Sequence, residues 1–213
     1  MIFARSGGKI VAMSNKKILI AVPTYESIEP ACFKSIYGLE RPDGAEFSFD
    51  CVEGYGCALA RNAIARKAID LGYDYVFMVD SDIVLPQKAL SLLLLADKDI
   101  IMGWYPSRLK APGMTSIYRL TDYIDFDDKS NIGISEMPQG EVVEIKGGGF
   151  GCTLIKTSML RGTGPKWFEY VEYPAGDLLS EDLYFCHRVR TEFGYKIFAH
   201  TSVRCGHICK MTK

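Results

Sequence analysis

Tyr73-Asp74-Tyr75-Val76-Phe77-Met78-Val79-Asp80-Ser81-Asp82 is the stretch that decides the fold. Val76 to Val79 form a short, unbroken apolar run. Such a run reads as a strand covered on both faces, as in a parallel sheet, rather than as an alternating half-buried strand. It ends in two carboxylates, Asp80 and Asp82. In an open parallel sheet the carboxyl ends of the strands border the ligand crevice. Two carboxylates one residue apart at that place suit a hard divalent cation, Mg²⁺ or Mn²⁺, which completes its shell with substrate phosphate oxygens.

The same spacing recurs at Asp97-Lys98-Asp99 and Asp125-Phe126-Asp127. Asp97 and Asp99 fall between a Leu-rich helix and the next strand, at the amino end of the sheet. Asp125 and Asp127 lie in a polar stretch with no strand before them. Position therefore singles out Asp80 and Asp82.

Working outward, strands and helices alternate. Residues 17–22 are β-branched and apolar and make the first strand, with Pro23-Thr24-Tyr25-Glu26 at its exit. A proline cannot extend a central strand. Residues 28–39 have near-helical spacing. Phe47, Phe49 and Cys51 alternate with polar residues and predict a second strand. An Ala-rich helix follows over 58–71, with Gly72 as its stop and Arg61 and Asn62 in its first turn. Free N–H groups and a guanidinium there would favour a phosphate; taken alone, plain exposure is the better explanation of the two residues. Pro86 starts a helix over 87–96, and residues 100–104 form the next strand. The pattern predicts an α/β fold, with a mostly parallel, doubly wound central sheet flanked by helices.

Residues 105–141 break this rhythm with prolines, glycines and acids, and predict loops with a short antiparallel excursion. Residues 142–145 and 152–155 are strand-like. Between them, Gly147, Gly148, Gly149 and Gly151 surround Phe150, so the backbone can approach a ligand closely or simply turn a flexible hairpin. Ser180-Glu181-Asp182 precedes an amphipathic helix that stops near Gly194. Ser180 as N-cap, with acids in the first turn, accounts for these residues structurally. Residues 196–199 form the last strand, and His207 and Lys210 lie in the tail.

The chain has 213 residues, enough for one large domain, and 48% hydrophobic residues, enough for its core. A net charge of −1 gives no broad attraction to nucleic acid or a membrane surface. No apolar run is long enough for a transmembrane segment. Residues 1–15 lack a signal-peptide core and read as a flexible extension, with Met13 an alternative start, ahead of a single domain over 16–213. The seven cysteines are scattered and read as reduced packing residues of a cytoplasmic protein. Cys205, His207 and Cys209 also allow a zinc reading, but a fourth ligand is missing.

Taken in order, Val22-Pro23-Thr24-Tyr25, Arg61-Asn62, Asp80-Ser81-Asp82, Gly149-Phe150-Gly151-Cys152, Ser180-Glu181-Asp182 and Gly206-His207 resemble the motifs of a GT-A fold glycosyltransferase. The closest likeness is to the small, family 2-like bacterial or phage enzymes. The resemblance covers almost the whole chain and implies a nucleotide-binding half over 16–105 and an acceptor and catalytic half over 106–213. It implies that Pro23, Thr24, Tyr25 and Glu26 line a nucleoside pocket, with Arg61, Asn62, Ser81 and Lys210 around the ribose and diphosphate. Asp80, Asp82 and His207 would hold Mn²⁺ or Mg²⁺. Asp182 would be the catalytic base of an inverting enzyme, supported by Glu181. Trp104 and Gly148, Gly149, Phe150 and Gly151 would border the acceptor. The implied donor is a sugar nucleotide, a UDP-sugar ahead of a GDP-sugar, and the acceptor a carbohydrate, a lipid-linked group or a protein. Two other readings stand beside it. A sugar-phosphate nucleotidyltransferase would also use carboxylates and Mg²⁺, but it carries a Gly-rich, Arg-containing loop where this chain has Pro23-Thr24-Tyr25. A non-catalytic nucleotide-sugar-binding module would bind the donor without breaking it down.

Overall fold

The apolar run around Phe77 is a strand at the heart of a seven-stranded sheet. The computed structural model describes residues 15–107, 113–119, 131–172 and 178–208. Met13, Asp125, Asp127, Cys209 and Lys210 therefore lie outside the described residues.

In chain order the first elements are β1 (Lys17–Thr24), α1 (Pro30–Tyr37), β2 (Glu46–Glu53), α2 (Cys57–Asp70) and β3 (Tyr75–Val79). Next come β4 (Ile83–Val84), α3 (Ala89–Leu95), β5 (Ile100–Trp104), β6 (Met114–Tyr118) and β7 (Asn131–Gly133). The chain continues through β8 (Val142–Ile145), β9 (Gly147–Gly148), β10 (Cys152–Lys156) and α4 (Thr157–Thr163). It closes with β11 (Val171–Glu172), β12 (Leu178–Leu179), α5 (Glu181–Thr191), β13 (Ile197–Arg204) and β14 (Gly206–His207).

The main sheet has the order β2-β1-β3-β10-β5-β13-β8. β1 runs parallel to both β2 and β3, and β13 parallel to β5. β10 runs antiparallel between β3 and β5, and β8 antiparallel to β13. β10, from the later half of the chain, thus separates two strands that the early alternation would set side by side. Alternate residues of each central strand feed two cores. Leu19, Ala21, Val76 and Met78 pack with α2, α4 and α5 residues such as Ile64, Leu160 and Phe185. Ile18, Ile20, Val22, Phe77 and Val79 pack with Cys32, Ile36, Leu90 and Leu93 of α1 and α3.

Several boundaries differ from expectation for local reasons. β1 includes Pro23 and ends at Thr24, because its pairing with β3 stops at Ala21 and leaves one side of Pro23 without a strand. α1 begins only at Pro30, and Gly38 follows its last residue. The helix after Pro86 starts at Ala89, since Pro86 to Ala89 first make a turn closed by Ala89 N–H on the Pro86 carbonyl. α5 ends at Thr191, and Gly194, at φ 70°, sits in the turn beyond. None of the helices among the described residues is long and apolar enough to cross a membrane.

Two small sheets stand at the carboxyl end of β3. β4 pairs antiparallel with β14, matching Ile83 with His207. β6 pairs with β7 on one side and β9 on the other.

Candidate active site

β3 delivers Asp80 and Asp82 into a turn closed by Ile83 N–H on the Asp80 carbonyl at 3.1 Å. The β4–β14 pairing then carries the C-terminal strand back over this turn. Ile208 N–H donates to the Asp82 carbonyl at 2.9 Å, and His207 Nε2 lies 3.8 Å from Asp82 Oδ1. His207 Nδ1 is 3.0 Å from the Pro106 carbonyl. A carbonyl only accepts, so Nδ1 donates to it, and this bond turns Nε2 toward Asp82, as in metal-binding histidines oriented by an outer partner.

Asp82 and His207 face two different cavities. Thr24, Tyr25, Glu26, Ser81 and Asp82 line a cavity of about 300 Å³ beyond β1 and β3. His207 and Asp182 line a second, of about 440 Å³, together with Tyr105, Ser107, Asn131 and Gly149. The pair thus stands between the two.

Asp80 is held differently. Its Oδ1 accepts from Arg61 Nη2 at 2.6 Å, while Arg61 Nη1 donates to Glu181 Oε1 at 2.9 Å. Arg61 is only 2% exposed, and its guanidinium lies 5.4 Å from the centre of the Phe150 ring. This corrects the expectation of a phosphate-binding arginine: the forked donor is spent on two carboxylates inside the protein. Burial raises the Glu181 carboxyl above its ordinary range, outweighing the Arg61 charge, and the neighbouring Asp182 charge adds to the rise.

Asn62 is also corrected. Its amide nitrogen donates to the carbonyls of Ala58 and Phe168, and its oxygen accepts the Trp167 and Phe168 N–H groups. With all its bonds taken, it fastens 167–168 to α2 and has nothing left for a nucleotide.

Ser180 occupies the N-cap of α5, yet its hydroxyl donates to Asp182 Oδ1 rather than capping the backbone. Leu183 N–H donates to the same oxygen at 2.8 Å. Asp182 Oδ2 has no protein partner among the described residues and belongs to the wall of the larger cavity. Glu181, one residue earlier, turns inward to Arg61 and also takes the Tyr170 hydroxyl. The helical turn separates the acidic pair into a structural member and a cavity member.

Trp104 was expected beside the acceptor. It is instead a core residue, 5% exposed, with its indole N–H on the Thr201 carbonyl at 2.8 Å. Tyr105, one position later, is the cavity residue. Of residues 148–151, only Gly149 lines the cavity. Phe150 is fully buried against Phe168 and Phe185. Gly148 and Gly151 have no room for a side chain: a Cβ would fall 2.6 Å from Met102 Sδ at the first and 2.7 Å from Ile83 Cγ1 at the second. Their glycines reflect close packing. Cys205 is a free thiol, 2% exposed, that packs in the core with Cys152 and so lies away from the zinc arrangement.

The residues that sequence reasoning missed are Tyr105, Ser107, Thr115 and Asn131. Tyr105 had a signal, since it follows a strand at the carboxyl edge of the sheet. The others come from the irregular region and had none.

Among the described residues no three His, Cys, Asp or Glu side chains converge as a ready-made metal cluster. The donors that do meet, the Asp82 carboxylate and the His207 imidazole, are a pair that Mn²⁺ accepts, and such ions draw further oxygens from a bound diphosphate. The residues present fit the ion.

No family model matches the chain, and no curated protein matches it in sequence. Solved structures do match. The protein A197 from STIV superposes with a TM-score of 0.62 at 18% identity, over 91% of this chain and 86% of that one. GalNAc-T7, solved with UDP, GalNAc and Mn²⁺, superposes with a TM-score of 0.59 at 10% identity, over 93% of this chain. The present chain spans 44% of GalNAc-T7. The fold is that of the GT-A glycosyltransferases.

Proposed function

We propose that the protein is a metal-dependent glycosyltransferase of the family 2-like type. It moves a sugar from a nucleoside diphosphate donor, a UDP-sugar ahead of a GDP-sugar, to an acceptor hydroxyl with inversion at the anomeric carbon. The observation that carries this reading is the Asp82–His207 pair at 3.8 Å, standing between a cavity that fits a nucleoside and a cavity that holds Asp182. That GalNAc-T7 shares the fold and was solved with UDP and Mn²⁺ supports it.

In this reading Thr24, Tyr25, Glu26 and Ser81 bind the nucleoside in the smaller cavity, which Pro23 precedes in the chain without lining it. Asp82 and His207 hold Mn²⁺ or Mg²⁺, beside Asp80, and Lys210 follows two residues after Ile208. The bound ion supplies neutralisation of the charge on the departing diphosphate. Asp182 Oδ2 takes the acceptor proton as the hydroxyl oxygen bonds to the anomeric carbon and the bond to the diphosphate oxygen breaks with its electron pair. Asp182 sits in the first turn of an eleven-residue helix and lines the larger cavity.

Calorimetric titration of UDP and GDP with and without Mn²⁺ tests the assignment. Asp82→Ala should abolish metal-dependent binding. Asp99→Ala should leave it intact, because Asp99 pairs with Lys156 at the opposite end of the sheet. Unchanged metal-dependent affinity in Asp82→Ala would sink the site. A donor screen separates the other two classes: pyrophosphate release from nucleoside triphosphates marks a nucleotidyltransferase, and binding with no donor breakdown marks a binding module.

A further inference from the structure

Tyr105 follows β5 at the carboxyl edge of the main sheet, and both its backbone and its side chain are held. Ser116 N–H donates to the Tyr105 carbonyl at 2.9 Å, and Tyr105 N–H donates to Ser116 Oγ at 3.3 Å. Gly149 N–H donates to the Ser116 carbonyl at 3.0 Å, which draws the Gly-rich segment against the same pair. The Tyr105 hydroxyl accepts from Gly151 N–H at 3.2 Å. Neither glycine leaves room for a side chain beside this ring. A Cβ at Gly149 would fall on the Tyr105 hydroxyl, and one at Gly151 would fall 2.8 Å from Tyr105 Cε1 as well as against Ile83. Glycine is the residue that permits so close an approach. Gly149-Phe150-Gly151, which reads in sequence as a ligand loop, is therefore a socket for an aromatic ring, and Tyr105 is 6% exposed within it.

Beyond the socket the tyrosine meets His207. The two rings lie edge-on, with centroids 4.9 Å apart and planes at 69°, in the arrangement aromatic pairs prefer. The next residue adds a second restraint, since His207 Nδ1 donates to the Pro106 carbonyl at 3.0 Å. That bond fixes one atom of the imidazole and still allows the ring to tilt about it. The Tyr105 ring blocks the tilt. β14 is only two residues long, so its backbone pairing alone is a short hold on His207. With both restraints in place Nε2 lies 3.8 Å from Asp82 Oδ1.

We infer that Tyr105 is a positioning residue for His207: seated between Gly149 and Gly151, its ring sets the tilt of the imidazole and aims Nε2 at Asp82. The consequence for Mn²⁺ rests on the proposed metal pair. The aim of the ring itself can be read without metal. Outer partners of metal-binding histidines are worth roughly 10–100-fold in metal affinity.

Two readouts on the full chain test the inference. Without metal, heteronuclear NMR follows the His207 Nδ1 proton, which the Pro106 bond protects from exchange. Tyr105→Leu should abolish the slowly exchanging signal, and Tyr105→Phe, which keeps the ring, should preserve it. With UDP present, titration of Mn²⁺ should show an affinity about tenfold weaker in Tyr105→Leu. His207→Ala should lose at least as much, and adding Tyr105→Leu to it should cost nothing further, because the tyrosine acts through the histidine. A residue that only stabilised the fold would weaken both backgrounds alike. Gly149→Ala drives a methyl group onto the Tyr105 hydroxyl and should also weaken Mn²⁺ binding. Tyr105→Phe removes that hydroxyl and should restore most of the affinity of Gly149→Ala, so the inference stays testable even if Tyr105→Leu fails to fold. Unchanged Nδ1 exchange in Tyr105→Leu, equal losses in both backgrounds, or no rescue of Gly149→Ala by Tyr105→Phe overturns the inference. A parent that binds UDP without regard to Mn²⁺, while Tyr105→Leu still frees the imidazole, overturns the metal reading and retains the positioning role.

Discussion

Arg61→Met is the substitution that most directly probes how this site is built. Arg61 joins α2 to the turn after β3 through Asp80 and to the start of α5 through Glu181. The two arms differ in weight. The Asp80 side chain is 29% exposed, so solvent screens that contact, whereas Glu181 is 7% exposed and Arg61 3%. Removing one partner of a buried ion pair costs about 3–5 kcal/mol, because it strands a buried charge. With one arm screened, the lower end, about 3 kcal/mol, is the expected loss. For a domain of this size each kcal/mol moves the melting temperature by roughly 2–4 °C, so calorimetry should show a drop of about 6–12 °C. The drop should depend on pH. Burial already holds the Glu181 carboxyl above its ordinary value, and loss of the guanidinium raises it further. In the unfolded chain a glutamate titrates near its reference value of about 4.3. Between those two values the folded variant keeps a proton that the unfolded chain has lost, so its stability falls as pH rises through that window. The deficit relative to the parent should be smaller at pH 5 than at pH 8. Adding Glu181→Gln to Arg61→Met should restore much of the loss. A drop below about 2 °C at pH 8, or an equal drop at both pH values, would refute the reasoning.

Asp182→Asn should fold and bind UDP with Mn²⁺ like the parent but transfer sugar about 10²–10⁴-fold more slowly, measured as product formed under saturating donor; retained transfer would make Asp182 a helix-turn residue only. Asn62→Leu should lower the melting temperature by several degrees, since it leaves the Trp167 and Phe168 N–H groups and the Phe168 carbonyl without their partner, each an unmet bond worth about 1–3 kcal/mol. UDP affinity should hold once the folded fraction is accounted for, and a selective loss of UDP binding would return Asn62 to the nucleotide. Gly149→Ala should place its methyl group on the Tyr105 hydroxyl. Tyr105 also meets the His207 ring edge-on at 4.9 Å, so the variant should perturb both the cavity and the metal pair; unaltered Mn²⁺–UDP binding would show that the tyrosine yields freely.

The sequence by itself determined the α/β class, the strand ending in Asp80 and Asp82, and the helix that begins at Glu181. Those features are local: an unbroken apolar run reports burial on both faces, and amphipathic spacing behind acids in a first turn reports a helix start. It could also rank the acidic pairs by their place along the strand–helix alternation, which set Asp99 apart from Asp82. Only the tertiary structure decided the rest. Nothing in the run 152–156 says that it inserts antiparallel between β3 and β5, because an apolar strand pairs equally well in either direction. Nothing local shows that Arg61 spends its donors on Asp80 and on Glu181, 120 residues away, or that Asn62 fastens a loop 106 residues away. Both residues looked like free ligand groups because their partners are remote in the chain. His207 meets Asp82 only because β14 folds back on β4, and Asn131 and Tyr105 share a wall with Asp182 only because β6 bridges β7 and β9. A motif carries the chemical type of a side chain, but whether that side chain is spent inside the protein or left for a ligand depends on neighbours that long-range packing brings to it.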